Sequence, residues 1–331
     1  MSQNTLLSAK ARSFIADVNG IGRYSIKDRD HWMSLRKRDV TASVAGAVLG
    51  IHPYQTPFGL WSLKSGQTSE DAEETSAMLR GTLLEPVAIQ MLKRERPGWK
   101  VDYPLGHYWR HEAVRIGATP DALAIDPDRE GFGAVQIKTV EPRVFRDNWV
   151  DPDTRSVEVP LWIAVQALIE AKLTGASWAA VAVMRVGHGV DFDVVDIPIH
   201  EGVWARLVDQ VGEFWKRVRD NDPPPADFAR DGELLASIYA QDDGTEVDLS
   251  GDNRINTIMA ERAELKVQEA AGAAAVKKRK ELDTEILAKL GTSRRGRLAD
   301  GRLIDAPTIK RAGYSVAPSS YRQIKIKGEA A

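Results

Sequence analysis

Two short segments of this chain, Thr119–Leu123 and Val135–Lys138, constrain its fold more than any other part of the sequence. The first places Asp121 in a tight Pro-Asp turn, and the second has the pattern of a short strand. Side chains at positions i and i+2 of a strand point to the same face. Gln136 and Lys138 therefore face one way, whereas the isoleucine between them points into the core.

These residue types suit chemistry at a phosphodiester bond. Hard oxygen donors bind Mg²⁺, and Asp121 and the Gln136 side chain both supply such oxygens. A metal-assisted phosphodiester nuclease also needs a cationic side chain that stabilises the attacking hydroxide or the phosphoryl oxygens, and Lys138 is such a side chain. Each segment alone is a weak signal, because the same residues also occur in a surface turn followed by an edge strand.

Four further pieces stand in a fixed order around this pair. They are Trp32–Arg36 running into Val40–Ser43, then Pro53–Trp61, then Gly81–Pro86, and downstream Val159–Gln166, which opens an apolar helix. The ordered series covers roughly residues 30 to 220 and resembles the YqaJ-type viral recombinase family, relatives of the phage lambda exonuclease in the PD-(D/E)xK nuclease superfamily. The ordered set is specific, whereas no single member is.

The resemblance implies a fold of the α/β (α+β) class. Residues 31–222 would form a PD-(D/E)xK restriction-endonuclease-like core, in which helices flank a central mixed β-sheet, after an N-terminal leader at 1–30. Periodicity and turn residues predict where the elements of this core lie. They place helices at 44–49 (capped by Thr41–Ser43), 57–65, 76–95, 160–174 and 201–219, and strands at 99–103, 107–110, 122–126, 133–140, 178–186 and 190–197.

A run of three prolines marks the predicted end of the core at Asp222–Pro225, because prolines cannot continue a helix. The remaining residues, 226–331, are predicted to form a C-terminal accessory region of helical and small β structure. It would contain a helical arm or hairpin at 254–290, rich in Ala, Glu and Lys, and short strands at 293–327.

The resemblance also implies a metal site. Asp121 would be the primary metal carboxylate, with Gln136, the Ile137 backbone carbonyl and Glu85 as further ligands. Lys138 would position or activate the attacking water. The predicted catalytic set has five members, with Ile137 outside it as a metal ligand only. They are Glu85, Asp121, Gln136, Lys138 and, on the helix after the sheet, Gln166. Gln166 would orient the nucleophile or the lysine by hydrogen bonding.

A second group of residues matches family positions that hold the terminal 5′ phosphate of DNA. Arg36 offers a planar fork of donors for phosphate oxygens, and Ser43 lies at a predicted helix N-terminus. Simple N-capping is the alternative role for Ser43. Thr119 would add a hydroxyl to the scissile phosphate. Two nearby aromatic residues, Tyr54 and Trp61, are interpreted as core or DNA-contacting side chains, with the core favoured.

Gln136 is the main departure from the family, which usually has a carboxylate at this place. A neutral amide can coordinate Mg²⁺ through its oxygen but contributes no charge to offset the cation. An active natural variant, a weakened enzyme and a disabled mutant all remain open. Glu141 is an alternative source of charge, but strand positions 138 and 141 face opposite sides.

The function that the resemblance implies is a Mg²⁺-dependent phage or prophage exonuclease. It would use two Mg²⁺ ions, with Mn²⁺ as a substitute, and digest linear duplex DNA from 5′ to 3′ to leave 3′ overhangs for strand annealing. Double-stranded DNA ends, a single-strand annealing protein and further copies of this chain, as a trimer, would be its partners. A non-catalytic recombination protein with the nuclease fold and a structure-specific endonuclease are the alternative interpretations.

Composition narrows the class of protein further. The chain has no cysteine, which excludes disulfides, thiolate metal sites and cysteine nucleophiles. No apolar run reaches the ~18 residues of a membrane span, and the N-terminus lacks a signal-peptide core. These features fit a protein of the bacterial cytosol with no membrane partner. The net charge of −2 is unusual for DNA binding, although Lys and Arg concentrate at 36–38, 277–280 and 294–297.

Overall fold

The structure is a computed structural model, and it describes residues 20–68, 75–239, 254–290, 294–297 and 303–305. Contacts divide the chain into two compact units, Met1–Ile238 and Tyr239–Ala331. In chain order the first unit contains β1 (Ile21–Ser25), α1 (Arg29–Arg38), β2 (Val40–Thr41), α2 (Ala45–Val48), α3 (Pro57–Lys64), α4 (Ser76–Glu95), β3 (Lys100–Asp102), β4 (His107–His111), β5 (Ile116–Ala118), β6 (Ala122–Ile125), β7 (Gly133–Val140), α5 (Pro142–Asn148), α6 (Leu161–Thr174), β8 (Trp178–Val186), β9 (Val190–Ile197), α7 (Glu201–Asp220) and α8 (Gly232–Ile238).

Two mixed sheets organise the first unit. The larger has the strand order β3-β6-β7-β8-β9, in which only β7 and β8 run parallel. The smaller has the order β1-β4-β5-β2, in which only β2 and β5 run parallel. Helices flank both sheets, so the predicted mixed α/β architecture is confirmed. Strands β8 and β9 pair as an antiparallel hairpin.

Helix α6 is the central helix of this unit. It contacts β7 and β8 of the larger sheet and β4 and β5 of the smaller sheet. Its sequence is apolar almost all round, as is typical of a helix that is buried on every side. It ends at Gly175, whose backbone adopts the left-handed conformation with φ of 74°, where glycine is unstrained. Helix α4 packs on the other face of the larger sheet.

Strand β7 therefore lies between two helices, and its side chains alternate between them. Val135 and Ile137 are buried in the cluster that contains Leu92 of α4. Gln136 and Lys138 point to the opposite face, where both hydrogen-bond to Gln166 of α6. The alternation predicted from the sequence is confirmed, and it directs the polar pair toward the central helix.

The start of the chain differs from its prediction in two places. The leader at 1–30 includes β1, which pairs with β4, and the first residues of α1. Thr41–Ser43 was predicted to cap a helix, but Val40 and Thr41 pair with β5 instead. The N-cap residue of the short helix α2 is Val44, whose side chain makes no capping hydrogen bond. The predictions are wrong for residues 21–30 and 41–43, because pairing with a distant strand outweighs the local signal. Residues 1–19 of the predicted leader lie outside the described residues.

The two aromatic residues of the Pro53–Trp61 segment have different surroundings. Trp61 is buried in the core, as expected. Tyr54 is 83% exposed, so the prediction of a core role for it is wrong. Its ring contacts His52 and Trp162 edge-on, with ring centroids 6.0 and 6.3 Å away.

The division between the two units falls later in the chain than the proline run. Helix α8 packs against the core of the first unit through Leu234, Leu235 and Ile238. The Thr56 hydroxyl also donates to Asp231 Oδ1 at 2.5 Å, just before this helix. These contacts tie the segment after the prolines to the first unit.

The second unit contains a long helix, α9 (Ile255–Leu290), and an antiparallel pair, β10 (Arg295–Arg297) and β11 (Leu303–Asp305). A helical arm was predicted at 254–290, and a single helix is found there. The other strands predicted within 293–327 lie outside the described residues. No helix in the described ranges is both long and apolar enough to cross a membrane.

Candidate active site

Asp121 is joined to the middle of β7 by two hydrogen bonds. Asp121 lies in the turn between β5 and β6, where its Oδ2 accepts from the Ile137 backbone N–H at 2.8 Å and from Gln136 Nε2. The same Nε2 also donates to the Ile137 carbonyl oxygen at 3.0 Å. The amide nitrogen of Gln136 thus lies between the two oxygens that the family resemblance assigns to a metal ion.

Lys138 sets the direction of the hydrogen bonds around it. An ammonium can only donate, so Gln166 presents Oε1 to Lys138 Nζ at 3.0 Å. Gln166 Nε2 then faces two acceptors, Gln136 Oε1 at 2.7 Å and Glu170 Oε1 at 3.0 Å. Gln136 consequently turns its own nitrogen toward Asp121. One lysine therefore determines the orientation of both amide groups.

The carboxyl groups of this network have shifted pKa values. Burial raises the pKa of Asp121 to about 7, opposed by the charge of Lys138 and aided by that of Glu85. Burial also raises the pKa of Glu170 well above its ordinary value, and the charge of Asp121 adds to the shift. Perturbed carboxyl groups that face one cavity are a mark of functional sites. A divalent cation would favour the charged form of both groups.

A cavity of about 240 Å³ opens above Asp121 and collects most of the predicted residues. It is lined by Trp32, Arg36, Thr41, Ala42, Ser43, Glu85, Tyr103, Pro104, Leu105, Ala118, Thr119, Pro120, Asp121, Gln166 and Glu170. Gln136, Ile137 and Lys138 do not line it directly but are hydrogen-bonded to Asp121 and Gln166, which do. A larger cavity of about 860 Å³, bordered by residues from 53–68 and 230–238, shares no lining residue with it.

One wall of the cavity carries a cation and several hydroxyl groups. The Arg36 guanidinium lies over the Trp32 ring, 4.5 Å from its centroid. Trp32 Nε1 donates to Thr119 Oγ1 at 3.2 Å, which ties this wall to the turn that holds Asp121. The Ser43 and Thr41 hydroxyls are 3.1 Å apart. A planar guanidinium beside hydroxyl donors is a suitable setting for a phosphate group.

Glu85 also lines this cavity, and a tyrosine positions its carboxyl group. Tyr103, just after β3, donates its hydroxyl to Glu85 Oε1 at 2.7 Å. Burial, and then this hydrogen bond, raise the pKa of Tyr103, so it remains a proton donor. Pro86 follows Glu85 inside α4, where it lacks the N–H that the helix would otherwise use. Glu141, in contrast, is exposed and is not among the residues that line the cavity.

The site includes three residues that the sequence analysis missed. Glu170 had a usable signal, because it stands four residues after Gln166 on one helix and positions i and i+4 share a face. Trp32 was part of the recognised series but was given no role. Tyr103 had no local signal, since its relation to Glu85 depends on how β3 packs beside α4.

The donor set suits a hard divalent cation. Asp121, Glu85 and Glu170 offer carboxylate oxygens, Gln136 an amide oxygen and Ile137 a backbone carbonyl. Glu170 Oε2 is buried and has no hydrogen-bond partner among the described residues, as expected of an oxygen that needs a cation. Among the described residues, however, no three His, Cys, Asp or Glu side chains are grouped closely enough to hold a metal alone. Amide, backbone and water oxygens would have to complete the coordination.

Comparisons with known proteins found one matching family model and one curated relative. Residues 31–177 match the model of the YqaJ-like viral recombinase domain. The uncharacterized protein YqaJ of Bacillus subtilis (strain 168) is 33% identical over 70 residues, which are 21% of this chain and 22% of that protein. The chain therefore matches much less than half of that relative.

Two solved structures are also similar. One is an alkaline exonuclease (LHK-Exo) from Laribacter hongkongensis, with 20% identity and a TM-score of 0.42 over 62% of this chain and 100% of that one. The same enzyme in complex with dAMP matches with the same values. The family model, by contrast, covers the whole of the predicted site from Arg36 to Gln166. Residues 31–177 of this chain are similar to the YqaJ-like viral recombinase domain.

Proposed function

We propose that this protein is a metal-dependent deoxyribonuclease that degrades linear duplex DNA from its ends. The observation that carries the proposal is the continuous hydrogen-bonded set of Asp121, Gln136, Lys138 and Gln166 beside one cavity. The match to a viral recombinase domain supports a role in DNA recombination. Digestion would run from 5′ to 3′ and leave 3′ overhangs for strand annealing.

Magnesium is the proposed cofactor, as two ions, with Mn²⁺ as a substitute. Asp121, Glu85, the Gln136 amide oxygen and the Ile137 carbonyl would hold it, and it would neutralise charge on the phosphoryl oxygens. Because Gln136 now directs its nitrogen toward Asp121, the amide would have to turn before its oxygen could serve as a ligand.

Lys138 and Gln166 have the proposed role of positioning the nucleophile. An ammonium carries three donors, and one of these goes to Gln166. That bond holds Nζ beside the metal ligands, from where another N–H would reach the attacking water or a phosphoryl oxygen. Such positioning lowers the barrier because the reacting atoms are held in place beforehand.

The wall that contains Arg36, Ser43 and Thr119 would bind the phosphate at a 5′ end. The Arg36 guanidinium lies over the Trp32 ring, and Arg36 lines the same cavity as Ser43 and Thr119. Double-stranded DNA ends are therefore the proposed substrate. A single-strand annealing protein, a trimer of this chain and action in the cytoplasm of a bacterial host are further proposals, which rest on the family.

The direct test uses linear duplex DNA labelled at either the 5′ or the 3′ end. We expect release of the 5′ label in Mg²⁺, no digestion in EDTA and no digestion of closed circular DNA. Lys138→Ala, purified in parallel, controls for contaminating nucleases and should be inactive. Equal release by Lys138→Ala and the wild type would contradict the proposal.

A second candidate is a DNA-binding recombination protein without cleavage activity. One specific observation favours it: Gln136 donates a hydrogen bond to Asp121 in place of adding a second negative charge. In the same assay such a protein would bind linear duplex in a gel shift but release neither label. A third candidate, the structure-specific endonuclease, would cut closed circular or branched DNA.

A further inference from the structure

Glu170 is a buried carboxyl group whose hydrogen bonding is incomplete. It is 1% exposed on α6. Its Oε1 accepts from Gln166 Nε2 at 3.0 Å, whereas its Oε2 is buried without a hydrogen-bond partner among the described residues. A buried carboxylate with an unsatisfied oxygen is unfavourable unless a cation or a donor reaches it. Glu170 lines the same cavity as Asp121, so a cation held in that cavity would lie beside this carboxyl group.

The position of Glu170 relates it directly to Gln136. Gln166 Nε2 lies within hydrogen-bond distance of both Gln136 Oε1 and Glu170 Oε1. The two oxygens are therefore no further apart than the sum of those hydrogen-bond lengths. Asp121 and Glu85 line the same cavity as Glu170. The unsatisfied carboxylate of Glu170 is thus adjacent to Gln136, the position of β7 at which the family usually has a carboxylate.

From this arrangement we infer that Glu170 supplies, from helix α6, the carboxylate that β7 lacks at Gln136, and so completes the divalent-cation site with Asp121. The inference rests on the proposed function. Hard cations favour charged oxygen ligands, and a neutral amide beside Asp121 leaves the cation poorly neutralised. Glu170 adds one charge without disturbing the strand.

The competing explanation is that Glu170 stays protonated and only orients Gln166. A glutamine at position 170 has the shape of that protonated acid and keeps the oxygen that accepts from Gln166. Glu170→Gln therefore leaves a purely orienting role intact and removes only the charge. The two explanations predict different cation binding for the same variant.

The experiment measures Mn²⁺ binding to the full chain by titration calorimetry and by the Mn²⁺ electron paramagnetic resonance signal, without DNA. We expect Glu170→Gln to bind Mn²⁺ roughly 10- to 100-fold more weakly, the range for removing a group that supports a metal site. The charge-relocating double variant, Gln136→Glu with Glu170→Gln, should recover most of the lost affinity. DNA cleavage should follow the same order.

The matched control is Asp126→Asn. Asp126 is a buried carboxylate that pairs with Arg129 and does not line the cavity, so its loss should affect stability and not Mn²⁺ affinity. Thermal unfolding checks that each variant is folded. Should Glu170→Gln fail to fold, Glu170→Asp replaces it, because the shorter side chain withdraws the carboxylate oxygens from the cation. Mn²⁺ affinity should then fall, and wild-type Mn²⁺ affinity in a folded Glu170→Asp would contradict the inference.

The outcomes separate the inference from the proposed function. Wild-type affinity in Glu170→Gln, or an equal loss in Asp126→Asn, overturns the role of Glu170 while the nuclease proposal stands. Mn²⁺ binding that depends on Glu170 in a chain that cleaves no DNA supports the inference and overturns the nuclease. A wild type that binds no Mn²⁺ overturns both.

Discussion

The two faces of β7 use neighbouring residues of one strand for opposite purposes. On the α4 face, Val135 and Ile137 pack against Leu92 in a fully apolar cluster. On the α6 face, Gln136 and Lys138 enter a hydrogen-bond network. Consecutive side chains leave a strand on opposite sides, so one segment can serve both the core and the site. The apolar face stabilises the fold. The polar face brings charged groups together, which lowers the stability of the fold.

Magnitudes make the difference concrete. Burying a Val, Leu or Ile side chain contributes about 1.5–3 kcal/mol, so each residue of the α4 face adds to stability. A typical intramolecular hydrogen bond contributes only about 1 kcal/mol net, and a buried group left unsatisfied costs about as much or more. Glu170 is such a group on the α6 face. Substitutions on the two faces should therefore separate stability from activity.

The largest expected effect is on the polar face. Asp121→Ala should lower the DNA cleavage rate by roughly 10³-fold or more, because a metal ion supplies several kcal/mol of transition-state stabilisation. Its melting temperature should not fall, since a carboxylate that is unfavourably buried is removed. Cleavage kinetics and thermal unfolding in EDTA measure the two quantities. Cleavage at the wild-type rate would show that the site is misplaced.

The next largest effect is on the apolar face. Leu92→Ala should lower the free energy of unfolding by about 2–5 kcal/mol, the usual cost of a cavity at a fully buried leucine. Leu83→Ala on the same helix is the matched control, because Leu83 is exposed and its loss should cost within about 0.5 kcal/mol. Urea unfolding measures both. Cleavage per folded molecule should stay near wild type in Leu92→Ala, and a large loss would mean that the two faces are coupled.

The pH dependence of stability sharpens the same comparison. Burial raises the pKa of Asp121 to about 7 in the folded chain, whereas an unfolded aspartate titrates near about 4. Between these values the folded state binds more protons, so in EDTA the free energy of unfolding should fall as pH rises from about 4 to about 7. Asp121→Asn should remove part of this slope. If the free energy of unfolding falls equally steeply with pH in the wild type and in Asp121→Asn, the raised pKa of Asp121 is contradicted.

The smallest expected effect concerns Arg36, which lines the cavity. Arg36→Ala should reduce digestion of 5′-phosphorylated ends roughly ten- to hundredfold, since a charge-assisted hydrogen bond contributes ~1.5–3 kcal/mol. The variant should also show a smaller difference in digestion rate between DNA with a 5′ phosphate and DNA with a 5′ hydroxyl. Arg29→Ala, at the exposed start of the same helix, is the control. If the wild type digests 5′-phosphate and 5′-hydroxyl ends equally fast, a phosphate site is excluded. If Arg36→Ala has a lower melting temperature but keeps the preference for phosphorylated ends, Arg36 has a packing role.

The sequence by itself was enough to predict the features that depend on local periodicity. Period-two alternation separated Gln136 and Lys138 from Ile137, and glycine and proline residues marked the limits of β7, β8, β9 and α6. The meeting of Asp121 with Gln136 also follows locally, because β6 and β7 pair as adjacent antiparallel strands.

Only the tertiary structure decided which residues complete the site. The smaller sheet joins β1 and β2 to β4 and β5 by long-range pairing, which no local pattern reveals and which overrode the helix cap predicted at Ser43. Tyr103 reaches Glu85 because β3 lies at the edge of the larger sheet beside α4. Glu170 is a charged residue whose role depends on burial, and burial follows from the packing of α6 between both sheets. Local sequence determines the direction of side chains, whereas packing determines which of them are deprived of water.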